Sequence, residues 1–239
     1  MPCRATLTAV AATAAACLLL APAALASSRS PRSSHQPVQV TGKQLKSALL
    51  PASDFVAGYV TSNVTDSGGS LEHFTLFKVR SISCSNFWAE IGNSQGFGET
   101  AFAAALVGTE SITAPVLESF TESVYQFANT HAAASFYGQV NAKYRSCKSA
   151  SESNGQGSTA RLKVHSQSKQ RVGGHEALRL IVYVTVSNVP GPALPEYVLW
   201  TIDGTDVYLI STELVNTKSP QPTQSSLTLK LIARVGALR

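Results

Sequence analysis

Residues 197–214 read Tyr197-Val198-Leu199-Trp200-Thr201-Ile202-Asp203-Gly204-Thr205-Asp206-Val207-Tyr208-Leu209-Ile210-Ser211-Thr212-Glu213-Leu214. Two apolar runs, rich in aromatic and β-branched side chains, flank Asp203-Gly204. Such side chains pack well on a pleated surface, and Asp-Gly closes a two-stranded hairpin. Upstream, Leu178, Leu180, Val182, Val184 and Val186 share one strand face within Ala177 to Ser187. Ile181 and Tyr183 make its other face partly apolar, which reads as a central strand. A turn around Gly173-Gly174 joins it to a strand over Ala160 to Ser168. Thr100 to Val107 and Val116 to Phe127 read as two more strands, and Phe55 to Thr61 as another, followed by a turn at Asp66-Ser67-Gly68-Gly69.

Helices lie outside this hairpin core. Thr41 is positioned to cap a helix through Leu49, with Leu45 and Leu49 on one face and Pro51 as its stop. Ser83 caps a helix through Phe87, Trp88 and Ile91 that ends at Gly92. The clearest helix takes Thr130 as its cap: Ala133, Phe136, Tyr137, Val140, Tyr144 and Cys147 form one apolar stripe. Ser149 to Ser158 reads as a polar loop. Thr223 caps a last helix with Leu227, Leu231, Ile232 and Val235 facing inward. Hairpin-linked strands with helices at both ends predict a single α+β domain, an antiparallel β-sheet with helices packed on one face.

The chain has 239 residues, 44% hydrophobic and 14% charged, which excludes a disordered chain and suits one domain. Its first 26 residues read as an address label. Met1 to Arg4 is short and basic, Ala5 to Ala26 is uncharged with Leu18-Leu19-Leu20 at its centre, and Ala24-Leu25-Ala26 fits small-x-small cleavage. An uncleaved anchor is the rival reading, since the 22 residues Ala5 to Ala26 are long enough to span a bilayer. Cys17 lies inside the apolar stretch and is not a lipidation site. Ser27 to Val40, rich in Ser and Pro, reads as a flexible tether, and residues 41–239 as the folded domain.

Cleavage after Ala26 leaves 18 basic and 14 acidic side chains, and the part after the tether keeps a net +2. That is little for a nucleic-acid binder, which concentrates positive charge on one face. The clusters Lys143, Arg145, Lys148 and Arg161, Lys163, Lys169, Arg171 read as a solvated helix end and a solvated strand. After Ala26 the apolar runs, Leu180 to Val186 among them, are too short to cross a membrane. Of four cysteines, Cys3 and Cys17 leave with the signal. Cys84 and Cys147 then have one possible pairing in an oxidising compartment, the alternative being two buried free thiols. A bridge across 63 positions is worth about 4 kcal/mol in the chain-entropy picture.

Chemistry is sparse. Gly92-Asn93-Ser94-Gln95-Gly96 matches the G-x-S-x-G elbow, which works by exposing a Ser hydroxyl to a His on a strand-to-helix turn. Here it follows a helix and leads into a loop, so it reads as a helix-ending loop. Gly155-Gln156-Gly157-Ser158-Thr159-Ala160 matches G-x-G-x-x-A without the strand–turn–helix that cradles phosphate. The five His are scattered and no metal or cofactor is expected. Asp203 and Asp206 flank a turn, where Asp is favoured for local hydrogen bonding.

Cys84-x-x-x-Trp88, then Val124-Tyr125-Gln126-Phe127, Ala134-Ser135-Phe136-Tyr137 and Cys147, is similar to the PknH-like extracellular sensor domain family. There an apolar strand ending in Phe precedes an Ala-rich helix whose terminal Cys bonds back to an upstream Cys. Tyr197-Val198-Leu199-Trp200 with Val207-Tyr208-Leu209-Ile210 resembles the family's closing hairpin, so the likeness runs from about Leu45 to Arg239. It implies a secreted or surface-anchored α+β sensor module with a cleft for an unidentified small-molecule or cell-envelope ligand. Some members are outer domains of receptor kinases and others are free-standing. This chain departs from them in having no kinase segment, and one possible disulfide where members often have two.

The combined expectation is a secreted or cell-wall-associated, non-enzymatic binding module that engages no nucleic acid and has no membrane span after cleavage. Trp88, Tyr197 and Trp200 are the candidate ligand contacts, because aromatics give large contact area with a polar handle. A secreted serine hydrolase using Ser94 and a structural envelope protein are the alternatives.

Overall fold

The computed structural model describes residues 39–55, 58–67, 79, 82–91, 96–109, 119–153, 159–187, 191–213 and 223–239, within one compact unit, Pro37–Arg239. Eight strands occur among them: β1 Tyr59–Ser67, β2 Ala101–Thr109, β3 Ser119–Gln126, β4 Ser149–Ser153, β5 Thr159–Val172, β6 His175–Val186, β7 Leu194–Asp203 and β8 Asp206–Glu213. They form one sheet in the order β1-β2-β3-β8-β7-β6-β5-β4, antiparallel at every pairing. Helices α1 Gly42–Ala48, α2 Cys84–Glu90, α3 Thr130–Ser146 and α4 Gln224–Gly236 complete the domain. The chain runs a meander from the β1 edge to β3, crosses through α3 to the far edge, and returns from β4 to β8. Central β8 thus pairs with β3, which lies far from it in sequence.

The turn chemistry is that of the sequence. Gly204, with φ +59°, opens the two-residue loop between β7 and β8, and Gly173 and Gly174, at +57° and +92°, make the β5–β6 turn. Left-handed backbone at these points is costly for any residue with a Cβ. Thr41 caps α1 through a reciprocal capping box with Gln44. Ser83 and Thr223 cap α2 and α4 as read. Asn129, one residue before Thr130, caps α3 by accepting from the Ala132 N–H at 2.9 Å. Three local readings shift. The strand expected from Phe55 starts at Tyr59, after a 3-10 turn at Ala52–Asp54, and β1 runs on through Asp66 and Ser67, where a turn was expected. Ser149–Ser153, expected as loop, is edge strand β4, since its all-polar composition carries no hydrophobic alternation. Val40, placed in the tether, is buried and donates its N–H to Gln126 Oε1 at 2.8 Å.

The domain is α+β with one antiparallel sheet, but the helices cover both faces of the sheet and not one. On one face α2 and α3 bury Phe87, Trp88, Phe136, Tyr137, Val140 and Tyr144 against Phe102, Tyr125, Leu178, Leu180, Val198, Trp200 and Leu209. On the other, α1 and α4 bury Leu45, Leu227, Leu231 and Val235 against Ala103, Ala105, Phe120, Val124, Tyr208 and Ile210. Strands β2, β3 and β8 are apolar at consecutive positions because each position has a helix above or below it. The Cys84–Cys147 disulfide, Cα–Cα 5.4 Å, joins the first residue of α2 to the residue that ends α3. It staples the two helices of the first face together.

Candidate functional site

Trp88 and Trp200 are core residues. Trp200 is 0% exposed; its indole N–H donates to Tyr144 Oη at 3.3 Å, and its ring lies 6.0 Å from Tyr125 and 6.1 Å from Phe136. Trp88 is 9% exposed and packs edge-on to Tyr144 at 5.0 Å. Burial pushes the Tyr144 hydroxyl well above the ordinary tyrosine range, keeping it a neutral hydrogen-bonding group. Tyr197 does not join them. Strand alternation turns it to the opposite sheet face, opposite Ile181 on β6, where it is half-buried at the start of α4. Gln224 of α4 donates its side-chain amide to the Tyr197 carbonyl. Rarity of aromatics marked good core residues and did not by itself separate core from cleft.

That second face also holds an open groove on the strands beyond β7. It has a volume of about 620 Å³ and spans β4, β5 and β6; Ser149, Ser151, Arg161, Lys163, Tyr183 and Thr185 are among its lining residues. The placement of its two cations follows from a break in register. Before His165, the even residues Leu162 and Val164 point into the α3 core and the odd residues Arg161 and Lys163 point out. The pairing shifts between Val164 and Ser166, and beyond it the parity reverses. Lys169 therefore lands on the α3 face, 2.8 Å from Glu176, and Arg171 donates to the Gly174 carbonyl at 2.8 Å. The basic cluster read from sequence is split between two faces. Arg161 and Lys163 remain exposed in the groove, with the Tyr183 ring 5.0 Å from the His165 ring beside them.

The two hairpin aspartates do more than cap a turn. Asp203 Oδ1 lies 3.3 Å from His175 Nδ1 at the exposed sheet end. Asp206 is 0% exposed and accepts from Arg239 at 2.6 Å, Gln126 at 3.3 Å and Tyr208 at 3.2 Å. Burial raises the Asp206 pKa, while Arg239 and the hydrogen bonds oppose the rise. Glu122 is also 0% exposed; it accepts from the Leu50 N–H at 3.1 Å, and burial pushes it up to about 8 despite that bond and the nearby Arg234. Both acids sit between the sheet and its helices, and serve packing. Sequence reading missed them, since an isolated Glu in a strand gives no sign of a helix passing over it.

Among the described residues no cluster of His, Cys, Asp and Glu could hold a metal ion, and no helix is long and apolar enough to cross a membrane. Ser94 of the G-x-S-x-G segment and the 155–158 stretch of the glycine-rich motif lie outside the described residues. His175 and Asp203 form a His–carboxylate pair, and no described hydroxyl or thiol bonds to that His.

The profile of the PknH-like extracellular domain matches residues 40–195. The chain belongs to the PknH-like extracellular domain family. Its matched stretch runs from the residue that enters the fold, Val40, to the start of β7, and so includes the disulfide and the whole basic groove. The extracellular domain of PknH from Mycobacterium tuberculosis has the same fold, with TM-score 0.58 and 12% identity over 84% of this chain and 98% of that one. An uncharacterised protein from Mycobacterium smegmatis aligns over 81% of this chain and 94% of its own, at 12% identity and TM-score 0.37. No curated protein matches the chain in sequence. PknH-like membership makes this an extracytoplasmic sensor-like module at the level of its family.

Proposed function

We propose that this PknH-like domain is exported and receives a ligand on the open β4–β6 face without transforming it. The observation that carries the reading is the pairing of a sensor-domain family with an open groove whose cationic side chains have no structural use. Arg161 and Lys163 support neither helix nor core, whereas Lys143, Lys230 and Arg234 each tie elements together. Unspent charge held out on a rigid sheet suits recognition. Of the three candidate aromatics, Tyr197 borders this face. Trp88 and Trp200 hold the sheet and α3 in place beneath it, so their contribution to binding is support.

The second reading, a serine hydrolase, draws on the His175–Asp203 pair, the arrangement that orients a general base. Asp203 is half-buried on a hairpin, and Ser94 follows a helix in sequence. One experiment separates the two. Protein from culture supernatant is treated with a fluorophosphonate probe and, in parallel, examined by native mass spectrometry for a retained molecule. The binding reading expects no covalent label and a dissociable ligand. Stoichiometric labelling that vanishes in Ser94→Ala would establish the hydrolase.

A further inference from the structure

Taking the open β4–β6 face as the ligand site, a premise this step shares with the reading above, we propose that its ligand is an acidic polysaccharide. Its acid groups pair with Arg161 and Lys163, and its sugar rings lie against Tyr183.

Arg161 and Lys163 are neighbours on the outward side of β5, exposed, and form no ion pair or hydrogen bond among the described residues. Arg179 of β6 is exposed on the same face, opposite Ser168. Glu152 of β4 stands in register with Ala160, one position on from the Ser151–Arg161 pair. Register puts Glu176 and Glu196 on the α3 side, beside Leu178 and Val182, and Asp203 is engaged with His175 at the far end. The segments 154–158 and 188–190, which adjoin β4, β5 and β6 in sequence, contain no Asp or Glu. A face with several cations and no facing anion among the described side chains attracts an anion.

Shape narrows the anion to a chain. A small ligand is normally enclosed over most of its surface, which an open sheet face does not offer. Strands about 4.8 Å apart make β4 to β7 a platform roughly 15 Å across, long enough for successive sugar units. The lining also fits sugars: Ser149, Ser151 and Thr185 supply hydroxyls, and Tyr183 supplies a ring held in place by His165. A lipid surface fits less well, because the exposed large apolar side chains among the described residues, Val64 and Leu229, lie on β1 and α4. Nucleic acid is disfavoured by the small net charge of +2 after the tether.

The test uses the exported full chain and four probes: polygalacturonate, its uncharged methyl ester, poly-glutamate and phosphatidylglycerol vesicles. Polygalacturonate should bind at low ionic strength and weaken about tenfold by physiological salt. The Arg161→Gln/Lys163→Gln double variant should lose roughly tenfold or more, while Arg161→Lys with Lys163→Arg keeps binding. Unchanged melting temperatures show that both variants fold. Tyr183→Ser should weaken polygalacturonate but not poly-glutamate. Equal binding of the methyl ester, tighter binding of poly-glutamate or of vesicles, or no polymer binding at all overturns the proposal. If supernatant protein retains a ligand that is not an acidic polysaccharide and the double variant speeds its release, the reading of this face as the ligand site stands and this one falls. If neither polymer nor any retained molecule is found, both fall.

Discussion

Glu122 sets a carboxyl in the middle of an apolar layer. On its face Phe120 and Val124 flank it along β3, Ile210 sits opposite on β8, and α1 and α4 lie above. Its hydrogen bond from Leu50 fixes where the chain turns out of α1. The same burial gives the residue a pH signature. With a folded pKa of about 8 against 4.5 in the unfolded chain, the folded state holds the proton more tightly. Its contribution is fully present below about 4.5 and is lost as pH rises towards 8. Urea denaturation across that window should show wild-type stability falling by a few kcal/mol. Glu122→Gln, which keeps an acceptor for the Leu50 N–H and cannot ionise, should flatten the profile; an equal fall in the variant would show that Glu122 is not responsible. Gly42 is a second residue whose identity is forced by neighbours. A Cβ there would sit 2.1 Å from the Ser67 carbonyl oxygen, so α1 can rest on the end of β1 only where a side chain is missing.

At the scale of elements, the disulfide and the β5 irregularity do opposite kinds of work. Cys84–Cys147 restrains the polypeptide between α2 and the end of α3, a loop that includes β2 and β3. Cross-linking such a span lowers the entropy of the unfolded chain, so Cys84→Ser/Cys147→Ser should cost about 4 kcal/mol, less any strain released. Denatured, unreduced protein should titrate with no free thiol from this pair, and two free thiols would refute the bridge. The β5 shift at His165 stabilises nothing directly. By adding one unpaired residue it lets a single long strand serve the α3 core through Leu162 and Val164, then the opposite layer through Val172 with Ala177 and Leu199. It is also what confines Arg161 and Lys163 to the groove while sending Lys169 to Glu176.

For the whole molecule, the two-faced sheet explains how a domain with few charged residues holds an exposed polar platform. Helices α1 and α4 occupy the β2–β3–β8–β7 part of the second face, Leu229 of α4 reaches Gly173 at the β5–β6 turn, and the stretch around Arg161 and Lys163 is left open. Arg234 donates to the Ala48 and Ser47 carbonyls, and Lys230 pairs with Asp54 at 2.8 Å, so α4 is locked to the α1 region and does not slide across the groove. How the domain is presented outside the cell depends on its first 26 residues. Mature protein from supernatant or cell wall should begin at Ser27 in N-terminal sequencing, because Ala24-Leu25-Ala26 meets the small-residue cleavage rule. A retained Met1 would establish the anchored form instead.

The sequence by itself determined what short-range physics controls. Helix ends followed from Thr41, Ser83 and Thr223, whose side chains reach backbone N–H groups three residues on, and the β7–β8 hairpin followed from a glycine free to adopt positive φ. The PknH-like likeness was legible too, because it rests on Cys, Trp and Phe at set spacings along two helices and a strand between them. The tertiary structure decided whatever depends on which face of the sheet is covered. The stripe of α3 says that it is buried but not where, and a second layer of helices on the opposite face leaves no periodic mark in β5. Hence Trp200 and Tyr197, three residues apart, part to opposite sides of the sheet. Likewise Arg161 and Lys169, alike in sequence, become a groove cation and an ion-pair partner because one unpaired residue between them reverses the alternation.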